Sequence, residues 1–189
     1  MKTVVITGST RGLGFEMAKL FRQNGWDLVI NGVNPQRLDK AKEELLRLPG
    51  AGAVEGFSGS VASGGDLLAL AAFASERFGQ IDIWINNAGV NQPMKAVWEL
   101  SEEEIDAVLD IDLRGAILGS RAAALQMEKQ PEGGFIYNIE GYGSNDAMML
   151  GLNLYGTSSV PSRISRRLLP KSSPSAAARS GPGASLRAS

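Results

Sequence analysis

Residues 3 to 14, TVVITGSTRGLG, do most to restrict how this chain can fold. A β-branched run from Thr3 to Thr7 ends on Gly8, and Gly12 and Gly14 follow closely. Leu13, Met17, Leu20 and Phe21 then recur at helical spacing as far as Asn24. A strand that passes through a glycine turn into a helix cannot close a hairpin. The helix must carry the chain back along the sheet, so the next strand joins parallel to the first.

The rest of the sequence repeats this alternation. Strand signals fall at Asp27 to Asn31, Ala53 to Phe57, Ile81 to Ile85 and Gly134 to Ile139. Helical signals separate them. Pro35 opens a helix through Leu48, with Pro49-Gly50 beyond its end, and Gly65 to Phe78 forms another. Ser101-Glu102-Glu103-Glu104 is a capping box that opens a helical stretch to about Lys129. The expected fold class is therefore α/β, a doubly wound parallel sheet in one domain, with ligands bound at the carboxyl ends of its strands.

Composition narrows the chemistry. The 189 residues are 43% apolar, enough for one sizeable core, and contain neither cysteine nor histidine. Disulfides, thiolate and imidazole catalysis and most transition-metal sites are thereby excluded, so no metal centre is expected. Acid-base work falls to Tyr, Lys, Asp or Glu. No apolar run is long enough to span a bilayer, and the N-terminus enters the first strand directly, so the expectation is a cytoplasmic protein without a membrane partner. Residues 158 to 189 differ in character. Their six charges (Arg163, Arg166, Arg167, Lys171, Arg179, Arg187) are all basic, and they include no aromatic residue. Such a segment buries too little apolar surface to offset its ordering entropy, and a disordered tail is expected. It lacks the aromatic platforms of a nucleic-acid arm, and no nucleic-acid partner is expected.

Gly8, Ser9, Thr10, Arg11, Gly12, Leu13 and Gly14 lie where backbone N–H groups and a helix dipole favour an anionic phosphate. A plain glycine turn packing helix on strand would share this spacing. A second motif separates the two: Asn86-Asn87-Ala88-Gly89 directly follows the buried strand. Together the motifs resemble the short-chain dehydrogenase/reductase family over residues 1 to about 157. Ile81 to Gly89 (IDIWINNAG) and Tyr137 to Ser144 (YNIEGYGS) are similar to its chlorophyll b reductase-like branch. The resemblance implies a Rossmann domain over residues 1–157 and a small carbonyl or alcohol substrate. It also implies a nicotinamide cofactor whose phosphates rest on the glycine loop, with Asn87, Ala88 and Gly89 bordering the nicotinamide end. Ser60 stands where relatives carry an aspartate before Val61 to hold the adenine. The second strand ends in Asn31-Gly32-Val33-Asn34, without the acid that binds the NAD ribose, and Arg11 suits a 2′-phosphate. The cofactor expectation is NADP, with NAD the alternative.

Only part of the family's catalytic set transfers. Tyr155 matches the general acid-base, but Ser159 occupies the position of the lysine that lowers its pKa. A phenol of pKa about 10 without a cation nearby is a poor proton donor at neutral pH. Gly141 replaces the usual serine, leaving Ser144 as the local substitute, and Asp112 stands where the family has a helix asparagine. The resemblance further implies a helix and two last strands that complete the sheet and form a homo-oligomer interface; this chain lacks them. Impaired turnover is expected, and a non-catalytic dinucleotide-binding protein is the alternative.

The family pattern stops between Ser158 and Ser159, which points to a shifted reading frame, with natural truncation as the alternative. One base restored after a Ser158 codon AGC allows K-R-T-L-A-Y-F-T-Q-A-L-A-K-E-L-A, an amphipathic helix beginning with the missing lysine. Sequencing the coding DNA tests this. A single-base restoration that recovers the lysine and an open frame is expected, and its absence refutes the shift.

Overall fold

The computed structural model describes residues 1–140 and the backbone of 166–168. Five parallel strands, β1 (Thr3–Ile6), β2 (Asp27–Gly32), β3 (Val54–Ser58), β4 (Ile83–Asn86) and β5 (Gly134–Asn138), form one sheet with β6 (Arg166–Leu168). Their order is β3-β2-β1-β4-β5-β6. β6 pairs antiparallel with β5, a strand the sequence reading did not assign. The doubly wound parallel α/β fold is thus as expected over the described residues. The chain builds β1, β2 and β3 outward in one direction, then returns to place β4 on the other side of β1. The topological switch point, where open α/β sheets bind ligands, therefore lies between β1 and β4.

Alternation along the strands divides the core into two layers. Val5, Val29, Trp84 and Ile136 pack with Leu67, Leu70 and Ala74 of α3 (Gly64–Phe78) and with Ala122, Ala123 and Met127 of α5 (Gly115–Met127). On the other face Val4, Ile6, Leu28, Ile30 and Ile85 meet Phe15 and Ala18 of α1 (Gly12–Gln23) and Leu38, Ala41 and Leu45 of α2 (Pro35–Arg47). Both faces of β1 and β2 are covered, which explains why these strands read as unbroken apolar runs. At β5, Ile136 is buried but Phe135 and Tyr137 are about 40% exposed. On the β3 edge, burial pushes the Glu55 carboxyl up, but hydrogen bonds from Lys42 and Arg77 outweigh it and hold the pKa below the ordinary value.

The helical stretch expected from Ser101 to about Lys129 is present from Glu102 to Met127, with a change of helix type inside it. α4 (Glu102–Val108) leads into a π-helical segment, Leu109–Arg114, before α5 begins. Two side chains of this wide turn bond outside the helix: Asp112 Oδ1 accepts from the Val90 N–H at 2.8 Å, and Arg114 donates to the Ala62 carbonyl at 2.8 Å. Those bonds offset the poorer helical geometry and turn Asp112 toward the end of β4. Apolar periodicity cannot reveal one extra residue in a turn. Among the described residues no helix is long and apolar enough to cross a membrane.

Gln130 joins the end of α5 to the strands. Its Oε1 accepts from the Ile81 N–H at 2.8 Å, and its Nε2 donates to the carbonyls of Ile81 and Gly133 at 3.0 and 2.8 Å. Gln130→Met keeps the volume but leaves these buried groups unpaired, so unfolding should weaken by about 2 kcal/mol. A lower urea midpoint at unchanged slope is the expected result.

Candidate functional site

The glycine loop is fixed from both sides. Asn87 Nδ2 donates to the Thr7 and Gly8 carbonyls at 2.9 and 3.1 Å. Thr7 Oγ1 accepts from the N–H groups of Asn87 and Ala88 at 3.0 and 3.1 Å. From β2, Asn31 Oδ1 accepts from the Gly8 N–H at 3.3 Å, while its Nδ2 donates to the carbonyls of Phe57 and Gly59. One buried carboxamide thus joins the carboxyl ends of β1, β2 and β3. The sequence reading missed Asn31, which looked like the polar end of a strand. Its signal was a carboxamide closing a wholly apolar run.

The motif glycines have different reasons to be glycine. At Gly8 the φ is +61°, and a Cβ would lie 2.7 Å from Ala88 Cα. A Cβ on Gly14 would collide with Asn87 Nδ2 and come within 2.7 Å of the Gly8 carbonyl oxygen. Gly12, with φ +59°, has no protein atom within 4 Å of such a Cβ, so it faces open space. Gly8 and Gly14 make the loop fit the sheet, whereas Gly12 keeps its outer surface bare.

That surface is the floor of a cleft of about 590 Å³, lined by Gly8, Thr10, Arg11, Gly12, Leu13 and Gly14 on one side. Ser60 and Val61 line it as well, together with Asn87, Ala88 and Gly89. Arg11 precedes α1 without a capping side-chain bond, and no acid stands in the first turn. By contrast Asn34, Ser63 and Ser101 cap α2, α3 and α4. The first N–H groups of α1 are left for an anion, and the cleft lining contains no carboxylate. The residues present therefore fit a dinucleotide diphosphate.

Most of the expected cofactor residues come together here; Ser9 does not line the cleft. It is fully buried, with Oγ donating to the Ile6 carbonyl at 2.6 Å and accepting from the Asn31 N–H at 3.0 Å. Ser60 Oγ accepts from the Ala62 N–H at 3.2 Å. Asp112 lies beside Gly89, where a Cβ would be 3.4 Å from its Oδ1. Asn86 supports that segment: its Oδ1 accepts from the Trp84 indole at 2.7 Å, and its Nδ2 reaches Ser120 Oγ and Asn138 Oδ1 at 2.9 and 2.8 Å. Tyr155, Ser144, Gly141 and Ser159 lie outside the described residues.

Residues 2–159 match the family model described as short chain dehydrogenase. The chain belongs to the short-chain dehydrogenase family. It is 39% identical over 143 residues to chlorophyll(ide) b reductase, chloroplastic, of Oryza sativa subsp. japonica, covering 75% of this chain and 42% of the relative. Among solved structures, levodione reductase superposes with a TM-score of 0.79 at 26% identity, covering 84% of this chain and 61% of that one. An alcohol dehydrogenase from the archaeon Thermococcus sibiricus, complexed with 5-hydroxy-NADP, gives a TM-score of 0.78 at 26% identity, covering 86% and 67%. The chain thus spans less than half the length of the reductase it matches.

Two substitutions separate the roles of the glycines. Gly12→Ala should cost only roughly 1 kcal/mol of stability, from its left-handed backbone, while abolishing dinucleotide binding. Gly14→Ala should lower the melting temperature markedly, because backbone and Asn87 must both move. Thermal unfolding with and without NADPH checks the pair.

Proposed function

We propose that this short-chain dehydrogenase is of the NADP-linked carbonyl reductase or alcohol dehydrogenase type, acting on a small carbonyl or alcohol. The observation that carries the reading is the carboxylate-free cleft over the bare Gly12 surface, with Arg11 at its rim. When bound, the nicotinamide supplies a hydride acceptor or donor for the substrate carbon.

The chain's own residues have separable tasks. The N–H groups at the start of α1 hold the diphosphate, and Ser60 and Val61 enclose the adenine. Arg11 offers a guanidinium to the ribose 2′-phosphate, and β2 ends without an acid to repel it. Asn87, Ala88 and Gly89 limit the nicotinamide end. Asp112, bonded to the Val90 N–H, stands where the family's helix asparagine supports a proton relay, and its carboxylate can bind the relay water but cannot donate as an amide does. Tyr155 exchanges the proton at the substrate oxygen, and Ser144 polarises the carbonyl.

Ser159 favours a second reading, a protein that binds the dinucleotide without turning it over. A lysine there would lower the Tyr155 pKa and hold the ribose; a serine hydroxyl supplies no positive charge. The chain spans 42% of the length of the rice reductase, so the reductase names of the relatives do not specify its substrate.

Calorimetric titration with NADPH, paired with turnover of simple ketones and diketones, distinguishes the readings. Binding with turnover near background is expected for this chain. Ser159→Lys together with the restored downstream frame should raise the rate by at least about 100-fold, the scale of positioned acid-base catalysis. Absence of NADPH binding would refute the dinucleotide site itself.

A further inference from the structure

The wall of the cleft facing the glycine loop is made by Gly32, Val33, Asn34 and Arg37. Gly32 ends β2, the place from which an acid would reach the ribose. A Cβ built there would lie 2.7 Å from Thr10 Cγ2, so the loop leaves an acidic side chain no room without moving Thr10. Val33 is 71% exposed and brings no polar atom. The strand end therefore contributes neither an acid nor a cation.

Helix α2 supplies the cation instead. Pro35 opens the helix, Asn34 Oδ1 accepts from the Arg37 N–H at 2.8 Å, and Leu38 is buried beside it. These three constraints fix the Arg37 backbone at the rim of the cleft while its side chain remains exposed. Among the other described arginines, Arg22 donates to the Leu45 and Gly52 carbonyls, Arg47, Arg77 and Arg114 pair with acids, and Arg121 stands on α5, outside the cleft lining. Arg11 and Arg37 have no ion pair among the described residues, and no acid lines the cleft they share. Two guanidiniums at one acid-free cleft repel each other until a ligand brings negative charge. A phosphate monoester, carrying close to two charges at neutral pH, meets that need and accepts forked hydrogen bonds from both.

We infer that Arg37 is the specificity-determining residue for the cofactor's ribose, closing with Arg11 on the 2′-phosphate in place of a strand-end cation. This rests on the dinucleotide site proposed above. The cation thus comes from the first turn of α2, four residues beyond Val33 at the end of the strand.

The test titrates the full chain and its Arg37→Gln and Arg37→Lys variants with NADPH and NADH, read by nicotinamide fluorescence. 2′,5′-ADP and 5′-AMP serve as competing probes. Arg37→Gln should weaken NADPH roughly 10- to 100-fold, the range for one charged hydrogen-bonding group, and leave NADH unchanged. 2′,5′-ADP should lose its advantage over 5′-AMP, and Arg37→Lys should recover part of it. Equal weakening of both nucleotides would show a structural role and overturn the inference, as would no change in either. If the unaltered chain binds neither nucleotide, the dinucleotide site fails first and the inference with it.

Discussion

The Asn87 carboxamide, donating to the carbonyls of Thr7 and Gly8, holds the site together. It fastens the turn after β1 to the turn after β4, across the switch point of the sheet. Thr7 Oγ1 returns two bonds to the same segment, and Asn31 ties the loop to β2. These bonds are partly buried and charge-neutral, so salt or pH changes should affect them little. They fix Gly8 in the left-handed region and press Ala88 against it, which leaves Gly12 and the start of α1 turned to the cleft. A rigid loop has already given up the conformational entropy that a phosphate site would otherwise lose on binding.

Much of this was legible in the sequence because it depends on periodicity and on residues without alternatives. Val4, Val5, Leu28 and Val29 could only be buried strand, and Gly8 and Gly14 stand where backbone meets backbone. The Ser101 capping box forms as read, with both reciprocal hydrogen bonds present. The unread parts depend on three-dimensional pairing. Ser9 looks like a phosphate-loop hydroxyl, yet it is buried between Ile6 and Asn31. The π-helical turn at Leu109–Arg114 leaves no mark in a spacing pattern, although it sets the direction of Asp112. Arg37 reads as a surface charge on an amphipathic helix, and only the packing of α2 brings it to the cleft rim. β6 is equally illegible, since Arg166–Leu168 is a three-residue segment without alternation in a Ser-, Arg- and Pro-rich stretch.

The chain therefore combines two unequal parts. The part through β5 holds both core layers and the polar network around Asn31, Asn86 and Asn87. The family match continues beyond it to residue 159, and the chain spans 42% of the rice reductase. The Phe135 and Tyr137 rings of β5 are about 40% exposed, so that face of the strand is only half covered.

Amide hydrogen exchange of the full chain, with and without NADPH, tests the central claim most directly because it reads the backbone groups assigned to the phosphates. Saturating NADPH should slow exchange at Gly12 to Gly14 and across Asn87 to Val90, with little change at the distant turn from Asn24 to Trp26. NADPH that binds while Gly12 to Gly14 exchange as in the free chain would contradict the site described here.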